Sequence, residues 1–569
     1  MTQQSLDRPW LQHYDPEVPP RLRYENVPLF AFLENAAQKH PQRLALRFQN
    51  WKATYAQLEQ LVGYAAAHLK ASGIRPGDRV AIMLPNTPQC IISYWACLKI
   101  GAVVVMTNPL YMEKELVHHF TDSGATTLVT LDLLWKRIQP LLPRFDLQRI
   151  FITSIADCLG FPLNFLYLWK VRREYGRLEI PYDNYKIFPW KILLHRASVE
   201  SPHLVNPHRD LAMLQYTGGT TGIAKGVMLS HANLSANAQQ CRAILHSLHE
   251  HGEIVLGVLP FFHIYGLTVC VNFGTLIGAT LLPLPKFDPR ETLQTIHKHR
   301  PTIFPCAPSI FIALLQQKKI EAYDLSSVRY CISGSAPMPV AVMERFHQLT
   351  GARIVEGYGL TEASPVTHLN PLHGKTKPGS IGLPFPDTDA AIVDMEVGCI
   401  PVPPGKEGEL ILRGPQVMQG YWNRPDDTAA VLRNGWLYTG DIATMDEEGY
   451  FYIIDRKKDL IITGGYNVYP REIDEVLHEH PAVKEAVTVG VKHATRGEII
   501  KAYIVLKEGH TATKSDIISF CRAKLANYKV PKQVEFRQEL PKTLVGKVLR
   551  RAIREEEDRR GPDTSELLE

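Results

Sequence analysis

The stretch YTGGTTGIAKG, Tyr216 to Gly226, gathers residues that could do chemistry. Thr217, Thr220 and Thr221 supply hydroxyls, Lys225 a positive charge, and Gly218, Gly219 and Gly222 let the backbone curl. A curled backbone turns several N–H groups toward one point, and such a nest suits a polyphosphate. The glycine-to-lysine spacing is not that of GxxxxGK[ST], and the run is not GxGxxG, so two common phosphate-binding arrangements are excluded. Composition alone would equally allow an ordinary turn.

Further segments carry polar residues at constrained places. LPFFHIYG, Leu259 to Gly266, sets His263 among aromatics, where a satisfied core histidine is the commoner use. SGSAPMP, Ser333 to Pro339, offers Gly334, Ser335 and Ala336, small enough for a flat ring to approach the backbone. EGYGLTEASP holds Glu356, Gly357, Tyr358, Gly359, Thr361 and Glu362; Tyr358 supplies a stacking face or fills core. GWLYTGD ends in Asp441, a turn former or a hydrogen-bond acceptor. FYIIDRKKDLIITGGYNVYP contains Arg456, Lys458, Gly464 and Gly465, and LPKTLVGKVLRR contains Lys547.

In this order, from the Thr54-Tyr55 region to Arg551, the segments resemble the adenylate-forming superfamily of acyl-CoA synthetases, firefly-type luciferases and peptide-synthetase adenylation domains. LQYTGGTTGIAKG, SIGLPFPDT, GPQVMQGYW and IIDRKKDLIITGGYNVYP are most similar to the bacterial long-chain fatty-acid:CoA ligases. The resemblance implies that Tyr216–Gly222 and Lys225 cradle the phosphates of ATP. It further implies that 334–336 and 356–359 form the adenine pocket, that Thr361 touches the α-phosphate, and that Glu362 and Thr217 hold Mg²⁺. Asp441 then takes the ribose hydroxyls, Arg456 the ribose and phosphate, and His263 lies beside the acyl carboxylate. Lys458 is the hinge, Lys547 reaches the carboxylate and α-phosphate, and Gly464 and Gly465 line the path of coenzyme A. Gly218 and Ala224 replace a frequent Ser and Pro, as in the long-chain branch. Leu267 stands where some relatives carry a tunnel-gating tryptophan, so the gate is undefined here.

The implied reaction has two halves: a fatty acid is joined to AMP with loss of pyrophosphate, then transferred to coenzyme A. A rotation about Lys458 would withdraw Lys547 and let one site serve both. The alternatives are a medium-chain or aromatic acid ligase, which shares the ATP machinery, and a non-catalytic lipid-binding or uptake protein.

The elements that must position these residues follow from pattern. Runs such as VAIML and AVVVM alternate with helical stretches such as Ala56 to Ala71, which predicts an α/β fold with parallel-containing sheets. After about Pro378, short strands split by Gly and Pro predict a small β-barrel-like subdomain. From about Asp459 a compact α+β pattern begins, giving domains 1–457 and 458–569, the second mobile, with a tail fraying after about 555.

At 569 residues the chain exceeds one core, and its net charge of +5 gives no reason to expect nucleic-acid binding. Nine dispersed cysteines read as reduced, buried thiols, and MTQQSLDRPW is not a secretory start; both point to the cytoplasm. Ile254 to Pro285 is long and apolar, but its Gly and Pro interruptions predict core pieces instead of a membrane span. GFPLNFLYLW, with the basic flank that follows, marks 160–177 as either a buried helix edge or a peripheral contact with the inner face of the cytoplasmic membrane. A homodimer is left open.

Overall fold

A computed structural model describes residues 7–183, 185–199, 201–217, 224–249, 252–396, 398–463, 466–493, 497–542 and 548–560. The helix Tyr55–Ala71 starts on a capping box: the Gln57 N–H donates to Thr54 Oγ1 at 3.3 Å, and the Thr54 N–H donates to the Gln57 side chain at 2.9 Å. VAIML and AVVVM become the parallel strands Arg79–Met83 and Val103–Met106. Thr127–Leu131, Arg149–Thr153 and Ile187–Pro189 continue the sheet on one side. On the other side Leu211–Tyr216 pairs parallel with Val103–Met106, and Gly226–Ser230 turns back antiparallel.

A second sheet holds Ile254–Gly257, Thr280–Pro283, Ile303–Cys306, Tyr330–Ser333 and Ile354–Gly359 in parallel, closed by antiparallel strands at both edges. The helix Pro88–Lys99 shares one apolar core with both sheets and is buried along its whole length, as an all-round apolar helix must be. Lys99, the charge at its end, is held by Glu59 and, at 3.0 Å, by Glu34. The apolar stretch from Ile254 is divided as the interruptions predict. Strands Ile254–Gly257 and Thr280–Pro283 flank a helical passage from Ile264 to Leu276, buried from Ile264 through Thr275. Among the described residues no helix is long and apolar enough to cross a membrane.

A third sheet is antiparallel: Asp389–Val393, Gly408–Arg413 and Trp436–Met445, with Leu432–Arg433 and Phe451–Arg456 also pairing on the last. Between Arg456 and Ile461 the chain leaves it for a fourth sheet, built on Val483–His493 and Gly497–Leu506, with its own apolar core. The last helix, Arg550–Arg560, is tied down by Glu556, which pairs with Arg537 at 2.9 Å, and Glu557, which pairs with Lys501 at 3.1 Å. One expectation needs correction. Cys399 is exposed, while the other eight cysteines are buried thiols.

Candidate active site

The glycine-threonine loop springs from two paired strands whose ends meet at Tyr216 and Gly226. Its mouth is closed by the Thr217 N–H, which donates to the Lys225 carbonyl at 3.1 Å. Gly218, Gly219, Thr220, Thr221 and Gly222 lie outside the described residues. The side chain of Tyr216 turns back into the scaffold: its hydroxyl donates to Asp122 at 2.7 Å and its ring lies 4.3 Å from that of His119. Burial, reinforced by Asp122, pushes this phenol far above its ordinary range, so it stays a donor. A Cβ on Gly226 would stand 3.1 Å from the Tyr216 ring, which fits glycine there. Lys225 is held at 2.6 Å from Asp427 and 4.9 Å above the Tyr421 ring.

Glu362 sits in the short turn Thr361–Ala363 and is fastened twice. Its carbonyl accepts from the Met418 N–H at 2.8 Å, and its Oε1 accepts from the Tyr421 hydroxyl at 2.7 Å. Tyr421 in turn pairs with Val227, one residue past the loop, and the Trp422 N–H donates to the Gly226 carbonyl at 2.8 Å. One segment, 418–422, thus ties the acidic residue to the mouth of the loop.

Strands Tyr330–Ser333 and Ile354–Gly359 run in parallel with Ser333 beside Glu356, bringing the small-residue turn and the EGYG segment side by side. Gly334 lies against Tyr265, whose ring would be 3.2 Å from an added Cβ, and Ser335 takes a left-handed φ of 74°. Glu356 is buried. Its carboxylate accepts from the Met338 N–H at 3.1 Å and the Gly379 N–H at 2.9 Å, a brace for the turn, and burial pushes its pKa up. A Cβ on Gly359 would lie 2.1 Å from the Pro365 carbonyl oxygen, so backbone packing alone demands glycine there.

Asp441 and Arg456 face each other in register across two strands, with Arg456 Nε 2.9 Å from Asp441 Oδ1. The Tyr358 hydroxyl donates to Asp441 Oδ2 at 2.5 Å. Each carboxylate oxygen retains a second acceptor site, so Asp441 can still receive hydroxyls. The charge on Arg456 is reinforced chiefly by Asp441.

His263 enters through a loop pinned by Asn86, which donates to the carbonyls of Gly257 at 3.0 Å and Leu259 at 2.8 Å. Gln215, next to Tyr216, donates to the Phe262 carbonyl at 3.0 Å and links this loop to the strand Leu211–Tyr216. His263 Nδ1 accepts from the Tyr265 N–H at 3.2 Å, which places the ring proton on Nε2. Desolvation lowers its pKa to about 4, so it is a neutral N–H donor near pH 7.

At the junction, the Arg471 N–H donates to Asp455 at 2.8 Å and its guanidinium to the Ile453 carbonyl at 2.6 Å. Arg554, from the last helix, donates to the carbonyls of Lys458 at 2.8 Å and Asp459 at 3.1 Å. Gly464, Gly465 and Lys547 lie outside the described residues. The ends of the Lys547 segment are fixed: Lys542 and Val548 form a bridge, and the Leu549 N–H donates to the Pro541 carbonyl at 2.8 Å. Sequence reasoning missed Asp122, Gln215, Tyr421, Arg471 and Arg554. Tyr421 stood in the GPQVMQGYW segment and Gln215 in LQYTGGTTGIAKG; Asp122, Arg471 and Arg554 have partners distant in sequence and carry no local signal.

The AMP-binding enzyme profile matches residues 33–422, and the AMP-binding enzyme C-terminal domain profile matches 472–547. The long-chain-fatty-acid–CoA ligase of Bacillus subtilis (strain 168) is 48% identical over 553 residues, covering 97% of this chain and 98% of that protein. That of Escherichia coli O6:H1 is 39% identical over 97% of this chain and 98% of its own length. Among solved structures, ATP-bound MatB from Rhodopseudomonas palustris superposes with a TM-score of 0.80 at 30% identity, covering 94% of this chain and 99% of that one.

Proposed function

This chain belongs to the AMP-binding enzymes, and from that premise we propose that it is a ligase joining a long-chain fatty acid to coenzyme A through an acyl-adenylate, at the expense of ATP. The observation that carries this reading is geometric: Glu362 is fastened to the mouth of the glycine-threonine loop through Tyr421, and Tyr358, four residues before it, bonds the Asp441 that pairs with Arg456. The 48% identity to a long-chain ligase over nearly the full length supports it.

The donors present fit Mg²⁺, which takes hard oxygen ligands and keeps part of its water shell. Glu362 offers a carboxylate whose orientation is fixed by Tyr421, and Thr217 a hydroxyl. When bound there with ATP, the ion would neutralise charge on the phosphoryl oxygens. In the same reading the loop amides of 218–222 and Lys225 bind the triphosphate. Asp441 accepts the ribose hydroxyls and Arg456 orients ribose and phosphate. His263, neutral and protonated on Nε2, donates to the fatty carboxylate; no base is needed, because the carboxylate is already ionised. Lys547 stabilises charge at the α-phosphate during adenylation. It then leaves as the C-terminal part turns about Lys458, so that Gly464 and Gly465 can guide the thiol of coenzyme A.

Acid-dependent pyrophosphate release, scanned across chain lengths with and without coenzyme A, tests the reading. Release with long-chain acids, and acyl-CoA formation when coenzyme A is added, are expected. A preference for medium-chain or aromatic acids would replace the substrate, and no release with any acid would leave a lipid-binding protein. Peripheral contact with the inner face of the cytoplasmic membrane, where long-chain acids dissolve, belongs to the same proposal.

A further inference from the structure

We propose that the helix Leu163–Tyr175, together with Phe161, is a docking surface for an anionic lipid bilayer. Among its thirteen residues Val171 is the buried one, although much of the sequence is apolar. Phe161 is 79% exposed, Phe165 64% and Trp169 63%, with Leu166 and Leu168 also exposed between them. A solvent-facing helix would ordinarily turn such residues inward, and an apolar cluster this dense on a surface marks a contact.

The projection is fixed at both ends. The Gly160 N–H donates to Asn50 Oδ1 at 2.9 Å, the Asn50 amide donates to the Phe161 carbonyl at 3.4 Å, and Lys136 donates to the Tyr175 carbonyl at 3.4 Å. Apolar groups occupy the first half of the helix, and Lys170, Arg172 and Arg173, followed by Arg177, make a basic collar behind them, interrupted by Glu174. The Arg173 guanidinium stands 5.7 Å from the Trp169 ring and joins the two zones. This order places aromatic rings at the acyl boundary and cations at the level of the phosphates. The helix sets Lys170, Arg172 and Arg173 against one acid, Glu174, and this net positive charge complements the phosphates of an anionic bilayer.

The position suits the task. The helix follows Ile155–Cys158, which leads from strand Arg149–Thr153; that strand is separated from Leu211–Tyr216 by three strands of the sheet. At about 4.8 Å per strand the separation is roughly 20 Å, so a bilayer here would stand away from the strand that leads into the glycine-threonine loop. The benefit, collection of acid already dissolved in the membrane, rests on the long-chain ligase reading; the docking itself does not.

Flotation with vesicles of phosphatidylcholine alone, or with one-third phosphatidylglycerol, tests the proposal. The wild-type chain is expected to float with anionic vesicles and to be released by salt. Phe165→Ser with Trp169→Ser should abolish flotation, and Lys170→Gln, Arg172→Gln and Arg173→Gln together should weaken it on the order of a hundredfold, taking about 1 kcal/mol per cation. The glutamine variant, on exposed positions, keeps the test valid if the serine variant does not fold. Flotation unchanged in the glutamine variant, or absent in the wild type, overturns the proposal, as does a concentration-dependent dimer lost in the variants without vesicle binding. Pyrophosphate release from acid supplied in detergent is read separately. Its absence with every acid, alongside normal flotation, would remove the ligase reading and leave the docking surface standing.

Discussion

The Tyr421 hydroxyl donates to Glu362 Oε1 at 2.7 Å, and through it the acidic residue proposed for Mg²⁺ is oriented by the strand that pairs at the mouth of the glycine-threonine loop. Burial first and the Glu362 charge second push this phenol far above its ordinary range, so it remains a donor at any working pH. Tyr421→Phe removes one charge-assisted hydrogen bond, worth about 1.5–3 kcal/mol. The expected result is a rise of about tenfold or more in the free Mg²⁺ giving half-maximal rate, measured at fixed ATP. An unchanged Mg²⁺ dependence would mean that Glu362 does not hold the ion.

Asp441 is bonded to both Arg456 and Tyr358, so its oxygens are aimed before a ribose arrives. Asp441→Asn keeps the shape and removes the charge. The KM for ATP should rise by about tenfold to a hundredfold, as for loss of a hydrogen bond to a charged acceptor. The sharper readout is discrimination: the wild type should prefer ATP to its 2′- and 3′-deoxy analogues, and the variant should lose most of that preference. Equal discrimination in both would place the ribose elsewhere.

The order of the motifs was legible because each is local, a few residues whose turn chemistry and small side chains sit in one segment. Their mutual bracing was not. Asp122 and Tyr216 are 94 positions apart, and Glu362 and Tyr421 are 59 apart, brought together only by sheet order that periodicity does not encode. For the same reason Tyr216 and Glu356, read as nucleotide contacts, show side chains turned into the scaffold. Gly359 is required by the Pro365 carbonyl whatever binds nearby. The acids of the last helix find their partners in Lys501 and Arg537, a tertiary effect that composition hides.

Four histidines make the fold sensitive to acid. Desolvation lowers His263 and His231 to about 4, and His119 and His368 to about 3. An unfolded histidine titrates near 6.5, so between that value and about 4 the unfolded chain binds protons that the folded chain refuses. The neutral-histidine contribution is therefore full above about pH 6.5 and is lost as pH falls toward 4. Denaturant unfolding at pH 7.5, 6.5, 5.5 and 4.5 should show stability dropping across the last three. A flat profile would mean that these rings are solvated or paired when protonated.

Arg471 lies after Lys458 in sequence, yet its guanidinium donates to the Ile453 carbonyl at 2.6 Å, on a strand before it. Any rotation about Lys458 must break this bond. Arg554, by contrast, grips the Lys458 and Asp459 carbonyls from the helix that follows the Lys547 segment, so it travels with the C-terminal part. Arg471→Ala should therefore destabilise the present arrangement against the rotated one by about 1 kcal/mol, a shift of about fivefold. Adenylation, followed by pyrophosphate release, and thiolysis, followed with supplied acyl-adenylate, should change in opposite directions or by clearly different factors. Lys547→Ala should instead depress adenylation and spare thiolysis. If Arg471→Ala lowers both half-reactions equally, the bond contributes only to folding and does not bias the rotation.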